Sequence, residues 1–229
     1  MAVKLGEDLW WLEIKALPFW RINTYLIDDG GTLTLVDSGV PWNTRQLKKQ
    51  IEATGYKVNE IDRVLLTHYD LDHFGGLIRL DELEPSEVYA GEPDAGYLKG
   101  DKKPKILHHK GAFHRAIAPF IPDIEVTSVE EDDEIGGFTV HETPGHNPGH
   151  LAYIHEFGNV GFLGDLVWES GGRLTPPIWA DSYNMDTLHE SIIRLSSRVG
   201  EFNWICMGHG NPLENGSSKL ERLAADLDT

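Results

Sequence analysis

Between Thr67 and His73 the chain reads Thr-His-Tyr-Asp-Leu-Asp-His, which places His68, Asp70, Asp72 and His73, four side chains able to bind a metal, within six residues. The run follows the apolar stretch 61–66, read as a buried strand. In a loop at the strand end all four can converge, whereas a continuing strand would send His68, Asp70 and Asp72 to one face and His73 to the other. Three further candidates stand in similar settings: His146 in Thr143-Pro144-Gly145-His146, Asp165 after the apolar run 159–164, and His209 after Trp-Ile-Cys-Met at 204–207. A lone histidine at a strand end is ordinarily a hydrogen-bonded structural residue. Seven ligand types, each preceded by an apolar strand or a Pro-Gly turn, are better explained by one shared metal centre. Imidazole and carboxylate together favour zinc, manganese or iron over calcium or magnesium.

The elements that must hold these residues follow from periodicity. Residues 22–28 and 32–37 alternate around Asp28-Asp29-Gly30-Gly31 and predict a hairpin. A helix is expected over 42–54, stopping at Gly55, and a second from about Gly75-Gly76. Strands are expected at 87–90, 124–128, 137–142, 151–155, 159–164 and 204–207, with helices over 186–199 and 218–227. Strands alternating with helices imply sheets covered by helical layers, in one domain spanning 1–229. Residues 91–122, rich in Lys, His, Pro and Gly, read as an insertion of the kind that forms lids.

Composition excludes several functions. Net charge is -17, from 37 acidic against 20 basic residues, which opposes binding to nucleic acid. The single Cys206 allows neither an internal disulfide nor a Cys-rich zinc site. The N-terminus carries charges at Lys4, Glu7, Asp8, Glu13 and Lys15, which leaves no room for the ~7 to 15 apolar residues of a signal peptide. No stretch approaches the ~20 apolar residues of a membrane span, so the expectation is a cytoplasmic protein without membrane partners. Six of the 20 cations, Lys99, Lys102, Lys103, Lys105, Lys110 and Arg115, fall within 17 residues. They form either a solvated surface loop or a lid that holds an anionic group of a small substrate.

Val36-Asp37-Ser38-Gly39, the Thr67–His73 run followed by Phe74-Gly75-Gly76, Thr143-Pro144-Gly145-His146, Gly164-Asp165 and Gly208-His209-Gly210, in that order, resemble the metallo-β-lactamase fold superfamily over nearly the whole chain. The resemblance implies a four-layer αββα sandwich with two divalent metal ions at one sheet edge. His68 and His146 would hold the first ion, Asp72, His73 and His209 the second, and Asp165 would bridge them. The family motif is H-x-H-x-D-H, and here the second histidine is Asp70. Either Asp70 ligates the first ion directly or it stands beside it as a non-ligating carboxylate. An added carboxylate lowers the charge of the site and favours harder ions. Zinc is therefore expected, with iron or manganese as the alternative at the first position.

The chemistry implied is hydrolysis of a small-molecule ester, lactone, thioester or phosphoester bond by a hydroxide bridging the two ions, oriented by Asp72. A non-heme iron protein with redox or oxygen chemistry is the alternative that Asp70 raises. Trp168 stands where the lactonase branch carries Tyr, and Tyr183 is the nearest substitute for that hydroxyl. The oligomeric state is open: Trp10, Trp11 and Trp20 would serve a homodimer interface or a pocket wall equally well.

Overall fold

The computed structural model describes residues 2–18, 20–80, 83–85, 87–104, 109–121 and 123–228. The predicted hairpin is present. Strand Trp20–Asp29 pairs antiparallel with Thr32–Val36, Tyr25 opposite Val36 and Asp29 opposite Thr32, and the chain turns at Gly30 and Gly31 with φ of 62° and 99°. Helix Thr44–Thr54 ends at Gly55 in the left-handed region, as its position predicts. The other expected strands and helices lie within a few residues of their predicted bounds, except that the segment after His68 forms two short helices, Leu71–Phe74 and Gly76–Arg79.

Two sheets result. The larger has seven strands, ordered Val3–Lys4, Leu9–Leu17, Trp20–Asp29, Thr32–Val36, Arg63–Leu65, Glu87–Gly91, Thr127–Val129. The second has five: Trp204–Met207, Val160–Gly164, Leu151–His155, Phe138–Glu142, Glu134–Ile135. All residues of Leu151–His155 and Val160–Gly164 are buried, which requires that this sheet be covered on both faces.

Three apolar clusters define the stacking. Between the sheets, Tyr25, Ile27, Val36 and Leu65 meet Phe138, Val140, Tyr153, Phe162 and Cys206. Outside the first sheet, Leu12, Ile14, Leu35 and Val64 pack on Leu47 and Ile51 of the first helix. Outside the second, Ala152, Leu163 and Ile205 pack on Leu188, Ile192 and Leu195 of Met185–Arg198 and on Leu220 and Leu223 of Gly216–Leu227. Helix, sheet, sheet, helix is the αββα sandwich.

Polar bonds pin the two sheets together along one edge. The Tyr25 hydroxyl donates to the Met207 carbonyl (2.7 Å), the Asn23 amide side chain donates to the same carbonyl (2.9 Å), and the Tyr153 hydroxyl donates to the Leu66 carbonyl (2.8 Å). The backbone N–H of Leu151 donates to the Thr67 carbonyl (2.8 Å) and that of Asn23 to the Gly208 carbonyl (2.8 Å). These bonds fix the loops carrying His68, His146 and His209 relative to one another, since each loop begins where a bonded strand ends. No helix among the described residues is long and apolar enough to cross a membrane.

Candidate metal centre

All seven predicted ligands meet at this edge, and all but His209 are buried. The 67–73 segment leaves its strand as a loop: Asp70 is extended at the entry to helix Leu71–Phe74, and Asp72 and His73 lie on its single turn. The ligand atoms form overlapping groups, His68 with Asp70 and His146, His68 with His73 and Asp165, and Asp72 with His73 and His209. His209 Nε2 lies 3.2 Å from Asp165 Oδ2 and 3.5 Å from Asp72 Oδ2, and His73 Nε2 lies 3.7 Å from Asp165 Oδ1 and 3.8 Å from Asp72 Oδ2.

Three of the four candidate imidazoles are turned by a partner on the other nitrogen. His73 Nδ1 donates to Asp37 Oδ2 (2.7 Å), and His209 Nδ1 to the Arg21 carbonyl (2.8 Å). The Thr67 hydroxyl donates to Asp37 Oδ2 (2.8 Å), so its oxygen accepts from His68 Nδ1 at 2.9 Å. These partners place the Nε2 lone pairs of the three rings toward the centre, the arrangement in which metal-binding histidines are held. Asp37 is the hub of this support, also accepting from the Thr67 backbone N–H (2.8 Å), and its φ of 56° turns its carboxylate inward. His150 Nε2 accepts from the Asp165 backbone N–H (3.1 Å) and fixes that loop. Asp94 accepts from the N–H groups of Tyr69 (2.8 Å) and Gly149 (3.1 Å), joining the loop of His68 to the loop of His146; burial raises its pKa to about 7.

The fit to a cation is shown by what lacks a partner. His68 Nε2, His73 Nε2 and Asp165 Oδ1 are buried and make no hydrogen bond among the described residues; His68 Nε2 is 3.2 Å from Asp70 Oδ2 without bonding to it. Buried polar atoms are seldom left in this state without an ion or water to satisfy them. The space is also reserved: a Cβ at Gly208 would stand 2.1 Å from Asp165 Oδ1 and 2.6 Å from His73 Cε1. Only glycine lets that strand end approach the ligands.

The electrostatics agree. Burial would lower the pKa of His73, but Asp37, Asp72 and Asp165 raise it to about 10; His209, similarly opposed by burial, is raised to about 9 by Asp165 and Asp72. Burial lifts the Asp72 carboxyl, helped by Asp70 and Asp165 and opposed by His73 and His209. An entering cation must displace the two imidazolium protons. Apparent ion affinity is therefore expected to rise with pH, by up to about tenfold per released proton per unit, until about pH 10. Competition with a chromophoric chelator across that range reads it, and a flat profile would contradict it. The linked effect on the metal-free fold has the opposite direction. Both folded pKa values lie above the ~6.5 of an unfolded histidine, so this stabilisation is complete below about pH 6.5 and is lost as pH rises through 9 to 10.

Asp37→Asn should weaken ion binding by roughly 10- to 100-fold, the usual cost of removing the partner that orients a ligating histidine. Dialysis against buffered zinc would measure this, and unchanged affinity would show that His73 needs no such support.

Asp70 stands apart from the other ligands. Its Oδ2 accepts from the Lys110 ammonium (2.7 Å), and its Oδ1 accepts from His114 Nε2 (2.9 Å) and from the Asn147 amide (2.8 Å). Burial would raise its pKa, yet Lys110, with His68, His114 and His146, holds it well below the usual carboxylate range. Lys110 and His114 lie one turn apart on helix His109–Ile117 of the 91–122 segment and so share a face. The cationic cluster expected there is thus divided: Lys99 bonds to Ser128 (3.4 Å), Lys102 pairs with Glu92, and Lys110 turns inward. Lys105 and His108 lie outside the described residues. The sequence places Lys110 in a cationic run that reads as either a solvated loop or a lid for an anionic substrate; a helix pairing Lys with His four residues on, facing an aspartate where the motif has histidine, is the signal that could have found it.

Beside His209 opens a cleft of about 450 Å³ lined by Trp20, Arg21, Trp168, Asp181 and Gly210. Trp168 meets the His209 ring edge to face at 5.3 Å, and Trp20 stacks against the same ring at 6.3 Å. Of the N-terminal tryptophans, Trp10 packs on Tyr56 and Trp11 bonds to Asn23, while Trp20 walls the cleft. The Tyr183 hydroxyl lies 3.4 Å from His114 Nδ1.

Known proteins give the same picture. A family model described as the metallo-beta-lactamase superfamily matches residues 17–209. The chain is 28% identical to "Probable metallo-hydrolase YybB" of Bacillus subtilis, covering 84% of this chain and 82% of that one. It is 27% identical to the hydroxyacylglutathione hydrolase GloC of Haemophilus influenzae, covering 91% and 94%. Among solved structures, the metallo-beta-lactamase family protein TTHA1429 of Thermus thermophilus superposes with a TM-score of 0.73 at 22% identity, covering 98% and 81%. With the sandwich, the converging ligands and the matched family model together, the chain belongs to the metallo-beta-lactamase superfamily.

Proposed function

We propose that this hydrolase of the superfamily cleaves a small ester, lactone or thioester at a divalent ion held by Asp72, His73, Asp165 and His209. The observation that carries the assignment is the convergence of unpartnered buried atoms, His73 Nε2 and Asp165 Oδ1, between carboxylates that hold His73 and His209 as cations. When bound, such an ion lowers the pKa of water and polarises the substrate carbonyl. Zinc suits two imidazoles and two carboxylates, and iron or manganese is the alternative.

The protein's own residues do the rest. Asp37 and the Arg21 carbonyl keep His73 and His209 in the ligating tautomer. Asp72, its Oδ2 3.5 Å from His209 Nε2, is the carboxylate assigned to orient the attacking water and take its proton at an Oδ. Trp20 and Trp168 offer an apolar wall for the acyl or leaving group. Arg21 and Asp181 both line the cleft, and the ion site adds the carboxylates of Asp72 and Asp165, so a neutral acyl substrate fits better than a phosphoester anion. The hydrolase named for the relative GloC supports the acyl class.

Chromogenic thioesters, esters, lactones and phosphodiesters, offered to zinc-, manganese- and iron-loaded protein, test the assignment. Turnover of an acyl substrate with little phosphodiester cleavage is expected. Fully loaded protein inert toward every acyl substrate would end it.

A further inference from the structure

Lys110 is 6% exposed, among the most enclosed charged groups in the protein. Its Nζ lies 2.7 Å from Asp70 Oδ2, 2.7 Å from His146 Nε2 and 2.8 Å from the Asp181 carbonyl. An ammonium has three N–H groups, and these three acceptors can take one each. Asp70 and His146, with His68, stand where the family resemblance implies the first metal position. Their atoms are 3.2 Å apart. An ion bonded to both at ~2.1 Å would lie within about 3.5 Å of the ammonium nitrogen, whichever side it entered from. At that separation, in a buried site, a divalent ion and an ammonium repel strongly.

We propose that the Lys110 ammonium fills the first metal position, so that the chain loads one divalent ion, at Asp72, His73, Asp165 and His209. This rests on the metal-dependent assignment above and departs from the two ions that the family resemblance implies. The departure at position 70 then has a cause. A buried lysine needs an anionic partner, and aspartate supplies one where histidine would supply a neutral ring. His114 and Asn147 complete the lone pairs of that carboxylate. One divalent ion and one ammonium also match the three candidate ligand carboxylates, Asp70, Asp72 and Asp165. The catalytic centre would thus have one exchangeable cation and one fixed cation, with His68 Nε2 unpartnered between them.

Ion stoichiometry tests this without reference to activity. Protein dialysed against a modest excess of zinc and desalted is analysed for metal per chain, beside Lys110→Ala and Lys110→Met, the latter keeping most of the apolar stem. One equivalent is expected in the wild type. Two are expected in the variants, since the vacated space leaves Asp70, His68 and His146 facing one another. Cobalt loading, read as visible absorption per added equivalent, should show the same change from one saturating step to two. Two equivalents in the wild type would overturn the proposal while leaving the hydrolase assignment intact. Wild-type protein that binds none would overturn both. One equivalent in a folded Lys110→Met would also overturn it, because the ammonium would then exclude nothing. The wild-type count stands whether or not either variant folds.

Discussion

Replacing His73 by alanine is expected to lower kcat/KM for an acyl substrate about a thousandfold or more. His73 is where the support and the ion site meet: its Nδ1 is bound to Asp37 and its Nε2 faces both Asp72 and Asp165 with no hydrogen bond of its own. Removing it leaves the ion with fewer ligands and leaves the buried Asp37 carboxylate without the ring that its Oδ2 holds. If the ion supplies several kcal/mol of transition-state stabilisation, losing about 4 kcal/mol corresponds to roughly three orders of magnitude in rate. Steady-state kinetics at increasing zinc, with metal content measured on the same samples, distinguish lost affinity from lost chemistry. Activity within tenfold of the wild type would place the reacting ion elsewhere. Asp37→Asn, by contrast, should recover as zinc is raised, since it weakens the hold on a ligand and leaves the ligand present.

The second large effect concerns stability. Asp70→Ala is expected to destabilise the metal-free protein by ~3 to 5 kcal/mol, the usual result of removing one partner from a buried ion pair. The Lys110 side chain is 5% exposed and that of Asp70 11%, and their 2.7 Å contact is shared with His114 and Asn147. Truncating Asp70 strands the ammonium and removes an acceptor from both neighbours. Combining Asp70→Ala with Lys110→Met should cost less than the sum of the two single changes, because the second removes the charge that the first leaves alone. Urea unfolding of the four proteins measures the coupling. A loss below about 1 kcal/mol would mean that Lys110 reaches water easily once released, as at an exposed pair.

The candidate ligands are legible because they are compressed locally in the sequence. Four candidates lie within Thr67–His73, and the others each follow an apolar strand or a Pro-Gly turn that can be recognised by itself. The layers were legible for a related reason: alternation of strand and helix signals needs only short windows, and the order of the motifs supplied the architecture. Lys110 was not legible as part of the site. It is more than thirty residues from any ligand in sequence, it belongs to a cationic run, and its neighbours Lys99 and Lys102 face Ser128 and Glu92 outside the centre. Only the packing of helix His109–Ile117 separates the inward lysine from the others. Asp70 was singled out correctly as the departure from the family pattern, but its partner could not be read without that packing. Asp37 lay in a quoted motif, and its role as hub for His73 and Thr67 emerges only where two strands end side by side. Asp94, which joins the two ligand loops, carried no local signal at all.

The lysine on helix His109–Ile117 also bears on how the protein meets scarcity. A cation covalently tied to the chain cannot be stripped by a chelator, exchanged for a competing metal or lost on dilution. When the free ion is removed, the ammonium's share of the positive charge stays in place, held at Asp70 and His146. Such a centre asks its surroundings for one metal ion at a time, and activity would follow supply along a simple saturation curve with no second, cooperative loading step.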